Sequence, residues 1–414
     1  MAREVGGSGT GSIRVVATLA DVPKESVSQD PLGFGPAAER LADIFAPALT
    51  VNTNRVRYYQ AVVAGLQLAA ESGSADVRRG VLELEKAWAL STYLSNRDVG
   101  DSPRSGLAGI SYVRTAARPD NVRQRLDYQL FQRGSQAQQG MWGLYRRSAT
   151  RLLLIEDDIP TGLGQRLAKG FVESIDSSLR RAFVGRTATA TTAALALFGS
   201  RAGLFAPLDP TTAEAMWDAL RADPNRRTSA RTIRGVRGGQ SELLTALRAV
   251  PPFQLSAQAA LSLEVCFVGL IRHLDAAVET ATIEGWVRPT EVRGNLVLKK
   301  ALGQWQQRSR AVLEDLDRGG VDPSLVDLGR AVSQAADPWE ALEVLVDRHV
   351  KIQEGKGRPP WLLRSGGRLV RGAATPAPGY KPLDPSSEPR GHDFRILNLK
   401  RLSSEVHAAG VKLR

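Results

Sequence analysis

Apolar residues recur at helical spacing through most of this chain of 414 residues. Leu41, Phe45 and Leu49 follow this spacing after Pro36, which places them on one face of an α-helix. The same spacing recurs in Val62–Leu68, Val81–Leu90, Leu243–Leu274, Val297–Leu316 and Trp339–Val350. We find no regular alternation of strand and helix patterns, which a parallel sheet requires. The sequence therefore predicts a mainly α, multi-helical fold.

Two short stretches are predicted to be strands. Trp361–Val370 places two apolar runs around a Gly-Gly pair, which is typical of a β-hairpin, and Ile13–Leu19 has the composition of a single strand. Five prolines between Ala373 and Arg390 predict an extended linker. A last helix is predicted from about Arg395 onward.

The length and apolar content predict more than one folded unit. A chain that is 43% hydrophobic at this length can bury two or three cores of ordinary size. We place a flexible lead-in at 1–30, a helical domain with a winged-helix-like element at 31–190, and a second helical domain at 191–357. Residues 358–414 are predicted to form a basic C-terminal region with the hairpin, the linker and the terminal helix.

The cysteine content and the hydropathy of the sequence indicate in which cellular compartment the protein is expected. Cys266 is the single cysteine and lies in an apolar run, which excludes a disulfide framework and a thiolate zinc site and favours burial of the thiol. The N-terminal residues lack the pattern of a secretory leader, and no window reaches the roughly 20 uncharged apolar residues of a membrane span. The sequence therefore predicts a cytoplasmic protein without a membrane partner.

Positive charge is concentrated in two parts of the chain. The formal net charge is +12, and residues 350–414 carry 13 Lys and Arg against 5 Asp and Glu. A second cluster contains a single acidic residue, Asp223, and six arginines: Arg221, Arg226, Arg227, Arg231, Arg234 and Arg237. Concentrated positive charge favours a polyanionic partner because phosphates neutralised by protein release their counterions. The alternative is a solvated surface that keeps the protein soluble.

The stretch Gly140–Ala168 is predicted to form two helices around a short acidic turn. Apolar spacing on the first helix leaves Arg146, Arg147 and Arg151 free to point outward. Two helices in this arrangement are similar to part of a winged-helix domain, in which an exposed helix face lies in the major groove. An ordinary helical hairpin with a solvated arginine face is the alternative.

No catalytic or cofactor motif emerges from the sequence. Glu156, Asp157 and Asp158 are consecutive, and consecutive carboxylates converge poorly on one metal ion. Glu354 and Lys356 have the spacing of half a nuclease site, but their glycine neighbours favour a flexible basic turn. The four histidines, His273, His349, His392 and His407, lack the spacing of a zinc-binding helix. We therefore predict no cofactor and no metal site.

Several short strings occur in an order that resembles one group of bacterial proteins. They are Asp30–Gly33, Arg55–Tyr59, Gly140–Ala168, Arg358–Trp361 and Phe394–Asn398. Together they resemble uncharacterised bacterial proteins that are often encoded beside restriction or phage-defence genes. The resemblance implies a subunit of a defence complex, and it carries over no functional residue.

These observations favour a nucleic-acid-binding or scaffolding subunit of a bacterial multi-protein complex. The predicted partners are DNA or RNA and other protein subunits. The candidate phosphate contacts are Arg146, Arg147, Arg151, Arg226, Arg227, Arg231, Arg234, Arg237, Lys356 and Arg358. A metal-dependent nuclease with ligands dispersed along the chain and an adaptor that binds only protein are the alternatives.

Overall fold

The computed structural model describes residues 30–74, 76–96, 107–131, 136–184, 186–372 and 392–413. The described chain is mainly helical with a few short strands, which confirms the predicted fold class. The helices in the first half are α1 (Gly35–Phe45), α2 (Val56–Glu71), α3 (Val77–Ser95), α4 (Ile110–Ala116), α5 (Gln136–Gln139), α6 (Met141–Arg151), α7 (Gly162–Glu173), α8 (Ser177–Phe183) and α9 (Thr192–Ala202).

The later helices continue the same architecture. They are α10 (Pro210–Arg221), α11 (Pro224–Ile233), α12 (Gln240–Arg248), α13 (Gln254–Glu284), α14 (Pro289–Gly294), α15 (Leu296–Arg318), α16 (Pro323–Gln334), α17 (Pro338–Gly355) and α18 (Ile396–Ala408). Pro251 and Pro252 separate α12 from α13 by a short 3-10 turn, as proline at these positions predicts. The terminal helix predicted from about Arg395 is α18.

Asp-Pro pairs begin four of these helices. The aspartate carboxylate accepts a hydrogen bond from an N–H of the first turn, and proline occupies the position whose N–H has no helical partner. The four pairs are Asp209-Pro210, Asp223-Pro224, Asp322-Pro323 and Asp337-Pro338. Local sequence therefore fixes where α10, α11, α16 and α17 begin.

The first half of the chain packs around α2, which is buried over most of its length against α3, α6 and α7. Tyr59 on α2 shares a hydrogen bond of 2.6 Å with the Ser148 hydroxyl on α6. The Trp88 indole on α3 donates to the Ala202 carbonyl at the end of α9. A Cβ at Gly199 would lie 2.0 Å from the Ser91 carbonyl oxygen, so only glycine allows α9 to approach α3 this closely.

The second half packs around the long helix α13, which contacts α12, α15, α17 and α1. Cys266 on this helix is fully buried, as predicted, and burial raises the pKa of its thiol. The helical stretch Pro251–Ala281 is long and apolar enough to span a membrane, which corrects the sequence expectation on that point. Core helices of soluble proteins meet the same criterion, and α13 is packed between other helices, so this stretch does not establish a membrane location.

Three small antiparallel sheets complete the described fold. Strand β1 (Arg123–Arg125) pairs with β4 (Thr189–Thr191), and β2 (Ile155–Glu156) pairs with β3 (Ile159–Pro160). Strands β5 (Trp286–Val287), β7 (Arg368–Arg371) and β6 (Leu362–Ser365) form the third sheet in that order. Gly366 and Gly367 both have positive φ angles, 56° and 74°, at the turn between β6 and β7. The predicted hairpin is confirmed.

Contacts between distant parts of the chain cross the predicted domain limits. The limit between residues 190 and 191 falls inside β4, and the buried apolar residues of the described chain form one contiguous cluster from Leu32 to Val406. Helix α18 returns to the N-terminal half, where Asn398 donates to the carbonyls of Thr50 and Val51 at 2.8 and 2.9 Å. The predicted lead-in up to residue 29, the strand Ile13–Leu19 and the proline-rich linker lie outside the described residues.

A buried carboxylate fixes the start of α6. Glu85 on α3 is 1% exposed and accepts hydrogen bonds from the Met141 backbone N–H at 2.6 Å and from the Gln136 amide at 3.1 Å. Desolvation raises the pKa of Glu85 to about 7, against the opposing effect of these donors. The folded protein therefore holds a proton here that the unfolded chain releases at lower pH.

Replacing Glu85 with glutamine should remove a pH dependence of stability. A raised pKa in the folded state makes the wild-type free energy of unfolding fall as pH rises from about 4.5 to about 7, by roughly 3 kcal/mol. Urea unfolding of wild type and Glu85→Gln across this range measures the difference between the two proteins. Glu83→Gln, on the same helix but half-exposed, is the matched control. A constant difference between wild type and Glu85→Gln would contradict the raised pKa.

Candidate nucleic-acid interface

Three arginines form a row along the solvent side of α11. Arg227, Arg231 and Arg234 follow one another at intervals of four and three residues, and all three are exposed. This spacing places the guanidiniums on one face over about 10 Å of helix axis. None of the three forms an ion pair within the described residues. We call these residues the arginine row.

Arg226 lies on the buried face of α11 and corrects one sequence prediction. Its side chain is buried, and it donates to the carbonyls of Leu220 at 2.8 Å, Ala219 at 2.6 Å and Pro47 at 2.8 Å. Burial lowers the pKa of the guanidinium. All of these bonds are internal, so the prediction that Arg226 contacts phosphate is wrong. The residue instead ties the start of α11 to the end of α10 and to the loop after α1.

The loop between α11 and α12 extends the positive surface. Arg237 is exposed in this loop, and Gly238 has a φ of 111°, which glycine alone adopts without strain. The Lys400 ammonium of α18 donates to the Gly238 carbonyl at 3.4 Å, and α18 packs against α11. Arg401, the next residue on α18, is exposed and lies 3.9 Å from the Glu405 carboxylate on its own helix. Lys400 therefore joins Arg237 beside the arginine row, a contact that the sequence prediction did not assemble.

A signal for the α18 residues is present in the sequence. Ile396, Leu399 and Leu402 are buried at helical spacing, so a helical projection leaves positions 400 and 401 away from the centre of the apolar face. The packing of α18 against α11, however, joins residues more than 160 positions apart in the chain. Local pattern does not encode such a contact.

The three candidate arginines on α6 differ in their partners. The Arg146 guanidinium pairs with Asp158 at 2.6 Å and lies 5.2 Å from the centre of the Trp142 ring. Arg151 contacts the Asp43 carboxylate at 3.4 Å. Arg147 is exposed and forms no ion pair with any described residue. Of the three, only Arg147 is available to a phosphate without first losing an internal partner.

Helix α6 is followed by the small β2–β3 hairpin and then by α7. Asp157 and Asp158 form the turn of this hairpin with φ angles of 47° and 63°. The two helices around an acidic turn that the sequence predicts are therefore present. A winged-helix role for them stays a prediction.

Asp43 on α1 connects α6 with α18. Its carboxylate accepts from Arg151 and, at 2.7 Å, from Arg395, which immediately precedes α18. Arg151 also lies close enough to Arg226 to contribute to the lowered pKa of that guanidinium, after the larger effect of burial. The end of α6 and the start of α11 thus lie near the same end of α1.

Lys356 and Arg358 follow α17 and make internal contacts. The Lys356 ammonium donates to the Asp30 carbonyl at 3.0 Å, and the Arg358 backbone N–H donates to the Gln353 carbonyl at 2.9 Å. Arg358 is half-buried. The Lys356 contact attaches residue 30 to the end of α17, and phosphate contacts by Lys356 and Arg358 stay a prediction.

The described residues contain no group of three or more His, Cys, Asp or Glu side chains placed to hold a metal ion. His273 is buried on α13, and burial lowers the pKa of its imidazole. His349 is also buried; its Nε2 accepts from the Trp361 N–H at 2.9 Å while its Nδ1 lies 3.2 Å from the Pro31 carbonyl. This imidazole links the first described residues to the β6–β7 hairpin.

Comparisons of the chain with family models, with curated proteins and with solved structures found no match. The interface is therefore defined by its geometry alone. Its exposed cations without an ion pair in the described chain are the arginine row, Arg237 and Arg147.

Truncation to alanine should destabilise the protein at Arg226 but not at its neighbour Arg227. Arg226→Ala removes three hydrogen bonds and leaves buried carbonyls without a donor, so the free energy of unfolding should fall by about 2 to 4 kcal/mol. Arg227→Ala changes an exposed side chain and should stay within about 0.5 kcal/mol of wild type. Urea denaturation of both variants measures the contrast, and equal stabilities would contradict the assigned role of Arg226.

Proposed function

We propose that this protein binds nucleic acid through phosphate contacts made by the arginine row. The observation that carries the proposal is the separation of roles on α11, where a buried guanidinium secures the helix and three exposed ones have no ion-pair partner in the described chain. Cations without internal partners contribute to phosphate binding at little cost, because no protein ion pair must break.

The contrast with other arginines supports this choice of surface. Arg310 and Arg318 on α15 both pair with Glu314, and Arg330 on α16 pairs with Asp327. Each of these guanidiniums has a carboxylate partner, whereas no guanidinium of the arginine row has one in the described chain. Arg237 and Lys400 extend the unbalanced region toward the start of α12. A polyanion would therefore be attracted to the surface along α11.

Helix α6 is the second element in this proposal. Arg147 adds one further exposed cation, while Arg146 and Arg151 are held by carboxylates. Contacts from α6 would supplement those from α11. The wider role, a subunit of a bacterial complex that includes other proteins and acts in phage defence, rests on the sequence resemblance and belongs to the same proposal.

A triple substitution tests the arginine row. For Arg227→Ala/Arg231→Ala/Arg234→Ala, we expect weaker binding to duplex DNA, and the slope of log affinity against log salt should decrease by about 2 to 3, since each lost phosphate contact contributes roughly 0.9. Fluorescence anisotropy with labelled duplex DNA, single-stranded DNA and RNA across a salt series gives these slopes. The same series identifies which nucleic acid the protein prefers.

The matched control is Arg310→Ala/Arg318→Ala/Arg330→Ala, which removes the same charge from ion-paired positions. It should retain the wild-type slope to within about 1, and thermal unfolding should show both triple variants folded. An equal loss of DNA affinity in the two variants would show that net charge alone determines binding, and it would contradict a specific role for the arginine row. Absence of binding by the wild type at low salt would favour the protein-only adaptor, and cleavage of the probes that requires magnesium would favour the nuclease.

A further inference from the structure

A cleft opens between α12, α13 and α15, beside the loop that carries Arg237. Its volume is about 630 Å³, which lies in the range of small-molecule sites. Two arginines line it, Arg272 from α13 and Arg308 from α15, together with Gln304 and the apolar side chains of Val265 and Val268. The cleft contains none of the residues of the arginine row.

Helix packing fixes the walls of this cleft. A Cβ at Gly269 would lie 2.8 Å from the Trp305 ring, so glycine allows α13 and α15 to approach closely at this point. The Trp305 indole donates to the Gly329 carbonyl at 3.2 Å, which holds the ring in place. Because α13 and α15 run antiparallel, Arg272 and Arg308 lie about one helical turn from this contact in opposite directions along the helix pair. Both guanidiniums are therefore carried by rigid helices.

The hydrogen-bond donors of the cleft have fewer partners than its acceptors. Arg272 is half-buried, and its Nε is shielded from solvent without a partner in the described chain. Arg308 forms no ion pair with any described residue. Glu264, by contrast, accepts from the His392 N–H at 2.8 Å and from its imidazole at 3.0 Å. Glu242 accepts from the Gly239 N–H at 2.9 Å.

The Arg272 Nε is itself shielded from solvent, so an anion in the cleft would meet the terminal guanidinium nitrogens of Arg272 and Arg308, which have no acceptor among the described residues. Gly239, Gln240 and Ser241 at the start of α12 line the same cleft. Val265, which is 40% exposed, and Val268 offer an apolar wall next to these donors. The combination suits a ligand with one strongly anionic group on an organic body.

We propose that the cleft binds a phosphate monoester, with its phosphate held by Arg272 and Arg308. Such a group occurs on a free nucleotide and at the phosphorylated end of a nucleic-acid strand. Gly239, two residues after Arg237 in the chain, is one of the residues that line the cleft. The inference uses residues distinct from the arginine row and stands independently of the proposed function.

Calorimetric titration with adenosine 5′-monophosphate and with adenosine tests the phosphate requirement on the full chain. A second pair of probes, a short single-stranded DNA with a 5′-phosphate and the same strand with a 5′-hydroxyl, distinguishes the source. We expect at least tenfold tighter binding of the phosphorylated member in at least one pair. Preference for the phosphate in the first pair identifies a nucleotide site, and preference in the second pair alone identifies a strand-end site.

Arg272→Met and Arg308→Glu should each weaken the phosphate-dependent binding at least tenfold. Arg310→Ala, two residues further along α15 and outside the cleft, is the matched control and should bind like wild type. The triple variant of the arginine row should keep its affinity for adenosine 5′-monophosphate, so failure of one proposal is distinguishable from failure of the other. Equal affinity for the two members of both probe pairs would overturn the inference. So would phosphate-dependent binding that persists in both cleft variants when their thermal unfolding is like that of wild type.

Discussion

Buried charged side chains at the ends of helices hold the described fold together. The Arg57 guanidinium on α2 donates to the carbonyls of Arg201, Ala206 and Pro207, where α9 ends, and Arg226 donates to two carbonyls at the end of α10. The last carbonyls of a helix lack internal donors and carry partial negative charge, so a cation there satisfies both needs. Burial lowers the pKa of Arg57 to about 10, which reflects the desolvation that these bonds must offset.

Carboxylates take the complementary positions at helix starts. Glu85 accepts from the first N–H of α6, and Glu405 of α18 accepts from the first N–H of α2 at 2.9 Å while pairing with Arg55 at 3.0 Å. Each of these contacts joins helices that are distant in sequence. Where apolar packing leaves helix ends inside the protein, such charges supply the missing hydrogen-bond partners. The positions of α2, α6, α9, α10 and α18 all depend on them.

These internal roles of charged residues separate the features that the sequence predicts from those that it does not. The helices, the Gly-Gly hairpin and the burial of Cys266 follow from local periodicity and turn chemistry, and these predictions are confirmed. Clustered positive charge did not reveal which arginine was internal. A signal was present, because Arg226 shares a helix face with Ala230 and Ile233, whereas Arg227 and Arg231 lie on the other face. The prediction from clustered charge did not use the positions of these residues around the helix, and it therefore assigned phosphate contacts to Arg226 as well as to Arg227 and Arg231.

Contacts between residues that are distant in the sequence could not be predicted from local patterns. Strands β1 and β4 pair Gln124 with Ala190, and each strand has only three residues, too few for a period-two pattern to emerge. The cleft likewise requires α12, α13 and α15 to meet. Its two arginines are 36 positions apart in the sequence, and only the packing of α13 against α15, with Gly269 close to Trp305, places both at one cleft.

The loop between α11 and α12 determines how the two positive regions are arranged. Its backbone is held on one side by Lys400 at Gly238 and on the other by Glu242 at Gly239. The arginine row ends where this loop begins, and the cleft begins where it ends. Because both helices are anchored in the core, by Ile233 on α11 and by Leu243 on α12, the spacing between the row and the cleft is set by the fold. A nucleic-acid strand that contacted both α11 and the cleft would therefore meet the two positive regions at a spacing that the packing of α11 and α12 determines.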